Sequence, residues 1–290
     1  MDSALRLKFR ILDNSVSSFK EARPYLDSSE LFQRLLTDFE ETSLSLLHRL
    51  IQLSEIPFSQ GYKSVQEWRD KLADTTFCGS GFSLTGKEDD LLACYNAMIS
   101  TVLIRLGYQD AERINQGVSW ILNYQNTERG LANNWSGKGI RKYGGCMKST
   151  PCFIGVVKSM ITLTEFVKTG LGDEPLKSKL KGGLEYILEH RVFMRKHTGG
   201  PITKDIIKLT YPFTYKTNIL EILRLLDDND LVFDKRAEEA KALLLKKRRK
   251  DGSWRQNAFY KPKHWIDFDN SNEKAEWLNF EIEKVLRVSG

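Results

Sequence analysis

Two carboxylates stand side by side in Lys87-Glu88-Asp89-Asp90, directly before an apolar run. A carboxylic acid can donate a proton only where its environment keeps the proton on, so the pair is a candidate for general acid chemistry. Lys87 works against that role, because a neighbouring cation favours the charged carboxylate. The alternative is a pair of helix-start acids that complement the helix dipole. Cys94 lies four residues after Asp90, and i, i+4 positions share one helix face. Cys146 and Cys152 form a second thiol pair, which His190 and His197 could in principle complete. Its spacing follows none of the common zinc patterns, and two small apolar thiols account for it as well. No metal and no other cofactor is expected. Aromatic residues form a third set, among them Tyr95, Trp120, Tyr124, Trp135, Tyr143, Phe153, Tyr211, Tyr215, Trp254 and Trp277. Their faces attract cations, although such residues also serve as ordinary core.

What must position these residues is a pattern that returns about every sixty residues. Ser119-Trp120-Ile121-Leu122-Asn123-Tyr124-Gln125 matches Glu185-Tyr186-Ile187-Leu188-Glu189-His190-Arg191, and a weaker third copy starts at Ala242, before Asp251-Gly252-Ser253-Trp254. Helical spacing predicts an apolar helix over 89–106 that is stopped by Gly107. Asp110 caps its partner, which ends near Tyr124. Pro151 opens a further apolar helix, paired with one over 177–190. Helices over 213–226, 234–248 and 273–288 complete the set. Upstream, one helical period runs from Leu31 to Leu50, a short helix surrounds 65–72, and the first thirty residues have no firm period. Strand-type alternation is scarce, so the expected class is all-α. Long connections at 125–150, 191–212 and 250–272 all follow the second helix of a pair. They should gather at one end of the molecule, where a site is to be sought.

The 290 residues are 41% hydrophobic and 28% charged, ordinary for a folded chain. The net charge of +6 is concentrated between Lys241 and Lys263, where nine basic residues face only Asp251. A solvated helix end, an anion site, and a nucleic-acid or membrane surface all remain open for this patch. No nucleic-acid motif accompanies it, and none is expected to bind. No apolar run approaches a membrane span, though peripheral membrane contact stays open. The first ten residues do not read as a secretory signal, and four cysteines make no disulfide framework. A cytoplasmic protein is expected, of unassigned oligomeric state.

Four features together resemble the α/α toroid superfamily. They are the stretch 90–108, Trp120-Ile121-Leu122 with Gln125, the Gly145-Cys146 to Cys152 helix start, and Asp251-Gly252-Ser253-Trp254. The superfamily contains squalene-hopene cyclases, class II terpene cyclases and protein prenyltransferase β subunits. Gly155-Val156-Val157-Lys158 and Asn218-Ile219-Leu220-Glu221-Ile222-Leu223 are similar to small prenyltransferase/squalene-oxidase repeat proteins. The resemblance covers roughly residues 85–290. It implies inner helices ringed by outer ones around an apolar cavity, with residues 1–80 as a helical segment packed on the toroid of 81–290. It further implies an enzyme acting on an isoprenoid or other apolar substrate. Asp89 would be the acid that protonates an alkene and Asp90 its partner, with Lys87 where the family's motif has its first Asp. Tyr95, Phe153, Tyr215 and Trp277 would line the cavity and Lys87 would meet the substrate. The prenyltransferase pattern would make Asp90 and Cys94 ligands of one metal ion together with a histidine near the last helix, which 272–277 lacks. The alternative is an inert toroid that binds an apolar ligand or a protein partner.

Overall fold

Among the described residues, seven helices begin at a side chain able to cap them. Asp2, Ser18, Ser29, Thr42, Asp110, Asp173 and Asn218 each accept a hydrogen bond from a backbone N–H of the first turn that follows. Each satisfies one of the N–H groups that a helix start leaves without an internal partner. The structure is a computed structural model that describes residues 1–131, 135, 137, 150–258, 261–269 and 274–287. Its helices are α1 (Ser3–Leu12), α2 (Phe19–Asp27), α3 (Glu30–Leu35), α4 (Ser43–Ser54), α5 (Lys63–Thr76) and α6 (Ala93–Arg105). They continue as α7 (Ala111–Tyr124), α8 (Phe153–Lys168), α9 (Glu174–Glu189), α10 (Ile219–Asp227), α11 (Glu238–Lys246) and α12 (Glu276–Leu286). Among the described residues there is no strand, only isolated bridges at Phe77–Phe82 and Met194–Pro201. The protein is all-α.

Several boundaries differ from the sequence expectation, each for a local reason. The helix expected from Asp89 starts at Ala93. Glu88–Asp90 forms a 3-10 turn, and Leu91 and Leu92 then run extended. Neighbouring residues of an extended stretch point to opposite sides, which lets both leucines be buried. Asp90 therefore stands off the α6 face that carries Cys94. The period over 31–50 divides into α3 and α4, because Thr42 and Ser45 form a capping box at the second start. The helix expected at 213 waits until Ile219, where Asn218 caps it while its amide donates to the Thr210 carbonyl at 3.0 Å. Pro151 precedes α8 and Cys152 is its N-cap. The first thirty residues hold α1 and α2. The expected first and last residues of the final helix, Glu273 and Val288, lie outside the described residues, as do Tyr143 and Cys146.

α6 and α8 are buried on nearly all sides, whereas α7 and α9 bury one face, as expected for surface helices. Close approach within each pair depends on a small residue in the repeat. A Cβ on Gly117 of α7 would stand 2.7 Å from Ser100 Oγ and 3.1 Å from the Phe82 ring. Gly183 of α9 occupies the same place in its copy of the repeat and abuts Met160 of α8. Ala240 of α11 is the third member and is fully buried. α6 packs on α4, α5, α7 and α8, α8 on α9 and α10, and α10 on α11 and α12. α1 packs on α2 and α3, and α3 on α4. α1 meets α12 through Phe9 and Phe280, edge to face at 4.7 Å.

Candidate functional site

Six helices each send one charged residue into a shared network. Glu55, the C-cap of α4, accepts from Arg105 of α6 at 3.0 Å and from Arg224 of α10 at 2.6 Å. Arg105 also binds Glu165 of α8 at 2.9 Å. Arg224 lies 3.5 Å from Glu281 of α12, which pairs with Lys8 of α1. The Tyr211 hydroxyl donates to Glu55 at 2.9 Å and accepts from Lys8 at 3.1 Å. Burial alone would raise the Glu55 carboxyl, but Arg224, Arg105 and Lys8 hold it well below the usual carboxylate range. Burial would raise Glu281 likewise, and Lys8 and Arg224 reverse the direction. The three cations and three anions balance, as buried charges must.

The same side chains fill the space among α6, α8 and α10. Above the network, Lys158 binds Glu221 at 2.5 Å and the Thr214 carbonyl at 2.8 Å, and Thr101 meets Thr162 at 3.0 Å. What is left is a cavity of about 50 Å³ walled by Glu55, Arg105, Lys158, Glu165, Glu221 and Arg224, among others. Glu221 Oε2 is buried there with no hydrogen-bond partner among the described residues. Such a space suits one or two waters, since a water occupies roughly 30 Å³ of liquid. It does not hold an isoprenoid chain.

A larger cavity, of about 250 Å³, opens by the first turn of α6. Tyr95 and Tyr215 stack on its wall with centroids 5.3 Å apart and planes at 28°. Leu44 and His48 come from α4, Asn218 caps α10, and Asp205, Lys208, Thr210, Thr214 and Lys216 come from the irregular stretch before it. Pro262 joins from the last long connection. Asn257 of that connection exchanges two hydrogen bonds with the Leu209 backbone, both 2.7 Å, so two of the long connections do meet here. Tyr95 and Arg105 are ten residues apart on α6, about 15 Å along its axis, and Thr214 lines both the tyrosine cavity and the smaller one. Burial raises the Tyr215 phenol far above its ordinary range, and Cys94, 3.6 Å from its oxygen, adds to the shift. Burial also raises the Cys94 thiol. Both groups are protonated at neutral pH, so this wall offers no thiolate nucleophile. Burial likewise pulls His48 down to about 4, leaving a neutral imidazole.

Of the residues singled out from the sequence, the structure brings Tyr95 and Tyr215 together. Lys87 and Asp89 are exposed, and Asp90 is half-buried, accepting from Thr85 Oγ1 at 2.9 Å. None of these three lines any of the three described cavities. Phe153 packs beside His190 and Tyr186, at 5.6 and 6.3 Å. Trp277 stacks near Tyr211 and Phe268 on the edge of a polar cavity of about 660 Å³ near the chain start. Beside it, burial lifts the Asp269 carboxyl to about 6, although the Trp277 and Leu278 amides that it accepts from pull it down. No cluster of three or more His, Cys, Asp or Glu suited to a metal occurs among the described residues. With Cys146 outside them, the Cys146/Cys152 pair is not placed. No helix among the described residues is long and apolar enough to cross a membrane.

Sequence reasoning missed the network, yet its signal was present. Glu55, Arg105, Glu165, Arg224 and Glu281 recur about every fifty to sixty residues with alternating sign, each at or near an apolar helix. It also missed Asp205, Lys208 and Lys216, for which the sequence carries no period or motif. Comparison with known protein families, curated proteins and solved structures finds no match.

Proposed function

We propose that this protein is an α/α toroid without catalytic activity that binds a small ring-bearing apolar ligand in the cavity walled by Tyr95 and Tyr215. The toroid reading is supported by the order of helix neighbours, α4 to α6 to α8 to α10 to α12 and back through α1 and α3. The binding reading rests on one contrast. The stacked tyrosines border about 250 Å³ of free space, while charged side chains reduce the middle of the helix assembly to about 50 Å³. The larger volume lies just under the roughly 300–1,000 Å³ common for drug-sized ligands, so a compact occupant fits. A cytoplasmic location belongs to the same reading, on the cysteine spacing. Titration calorimetry with 2-naphthalenemethanol, a neutral fused ring, tests it. Saturable 1:1 binding that weakens at least about tenfold in Tyr215→Ala is expected. No binding, or binding indifferent to Tyr215, would sink the proposal.

A second reading is an isoprenoid cyclase- or prenyltransferase-like enzyme with Asp89 and Asp90 as its acids and Lys87, Phe153 and Trp277 among its substrate contacts. The half-buried place of Asp90, on the turn that leads into α6, is what favours it. Under the binding reading, Asp89→Asn with Asp90→Asn leaves naphthalenemethanol affinity unchanged and costs up to about 1 kcal/mol for each acid. Turnover of an isoprenoid that disappears in the double variant would instead establish the enzyme.

A further inference from the structure

The charge on the wall of the tyrosine cavity is unevenly composed. Among the described lining residues the charged ones are Asp205, Lys208 and Lys216, since burial leaves His48 neutral. Asp205 is clamped between the two lysines, 2.8 Å from Lys208 and 2.5 Å from Lys216. Their hydrogen bonds hold its carboxyl below the ordinary range, so it stays ionised and the three groups sum to one positive charge. An ammonium has three N–H donors, and Asp205 takes one from each lysine. Two of the remaining polar groups are already engaged. The Asn218 side chain is occupied by the Glu221 amide and by Thr210, and the Thr214 carbonyl by Lys158. What the cavity offers a ligand is therefore an aromatic wall and, beside it, unspent ammonium donors with one net charge.

Resting on the binding reading above, we propose that the occupant is a monoanion: an aromatic or alicyclic carboxylate whose ring lies against Tyr95 and Tyr215 and whose carboxylate meets Lys208 and Lys216. A single negative charge neutralises the excess on the wall. A phosphate monoester, at about −1.5 to −2 near pH 7, would leave surplus negative charge next to Asp205. A neutral ring would leave the lysine donors to water.

Calorimetric titration of the full chain with 2-naphthoate, 2-naphthalenemethanol and 2-naphthyl phosphate tests this, since the three probes share a ring and differ in charge. At low salt the carboxylate is expected to bind about tenfold tighter than the alcohol, and the gap to narrow as salt screens these partly exposed lysines. In Lys208→Met/Lys216→Met the carboxylate should lose its advantage over the alcohol. Lys216→Met alone, at a more exposed position, should show part of that loss should the double variant fold poorly. Equal affinities for carboxylate and alcohol, a phosphate that binds tighter than the carboxylate, or a preference that survives loss of the lysines would each overturn the monoanion. Where the alcohol still binds in these cases, the cavity stands as a site. Failure of the alcohol to bind overturns the binding reading, and failure of all three probes overturns this inference with it.

Discussion

At the scale of single residues, His48 reports most directly on whether the tyrosine cavity is enclosed. Its ring stands 6.3 Å from that of Trp265, and burial lowers its pKa from 6.5 to about 4. The unfolded chain takes up the proton below 6.5 and the folded protein only below about 4. Unfolding therefore binds a proton within that window, and stability falls as the pH drops through it. A shift of this size corresponds to roughly 3 kcal/mol. Urea midpoints of the wild type and His48→Asn should diverge on going from pH 7 to pH 4, with the wild type losing more. Parallel curves would mean that water reaches the imidazole freely. Tyr95 and Tyr215 were legible beforehand because aromatic residues beside helix starts stand out. Their partners were not: Asp205, Lys208 and Lys216 sit in a stretch whose conformation is set by hydrogen bonds to Asn218 and Asn257, far apart in sequence.

At the scale of elements, most helices were visible in the apolar period, and most errors fell where a cap or a buried extended stretch overrode it. The turn at Glu88–Asp90 is the instructive case. Two consecutive buried leucines hold the chain extended, so carboxylates that looked like a helix start stand apart from the helix. The contact within each helix pair carries the next prediction. Alanine in place of glycine gains about 0.5–1 kcal/mol in a helix interior, so a loss on Gly→Ala measures crowding. At Gly117 the new methyl meets Ser100 Oγ and the rigid Phe82 ring, which is completely buried. At Gly183 the three nearest atoms all belong to Met160, equally buried but with an unbranched side chain of several rotatable bonds that can repack. Gly117→Ala should lose about 1–3 kcal/mol net and Gly183→Ala should stay within about 1 kcal/mol of the wild type. Chemical denaturation of the two variants decides it, and equal losses would remove the distinction between rigid and yielding neighbours.

At the scale of the whole molecule, the alternating charges tie the chain's first helix to its last. Lys8 reaches Glu281 while its ammonium also lies 5.5 Å from the Trp277 ring and 5.2 Å from that of Phe280. Residues 1–80 thus supply Lys8 and Glu55, two of the six charges, and do more than cover an outer surface. A buried pair adds little net stability compared with apolar replacements of the same shape, but removing one partner strands the other at a cost of about 3–5 kcal/mol. That asymmetry makes a double-mutant cycle informative. Lys8→Met leaves Glu281 with Arg224 alone, and Glu281→Gln leaves Lys8 with Tyr211 and the aromatic faces. If α1 and α12 meet as described, the double variant should be more stable than the sum of the two losses allows, by about 1–3 kcal/mol. Losses that simply add, to within about 0.5 kcal/mol, would show that the two residues do not share a site. The closure of the helix series through α1, on which the toroid reading depends, would then rest on the Phe9–Phe280 contact.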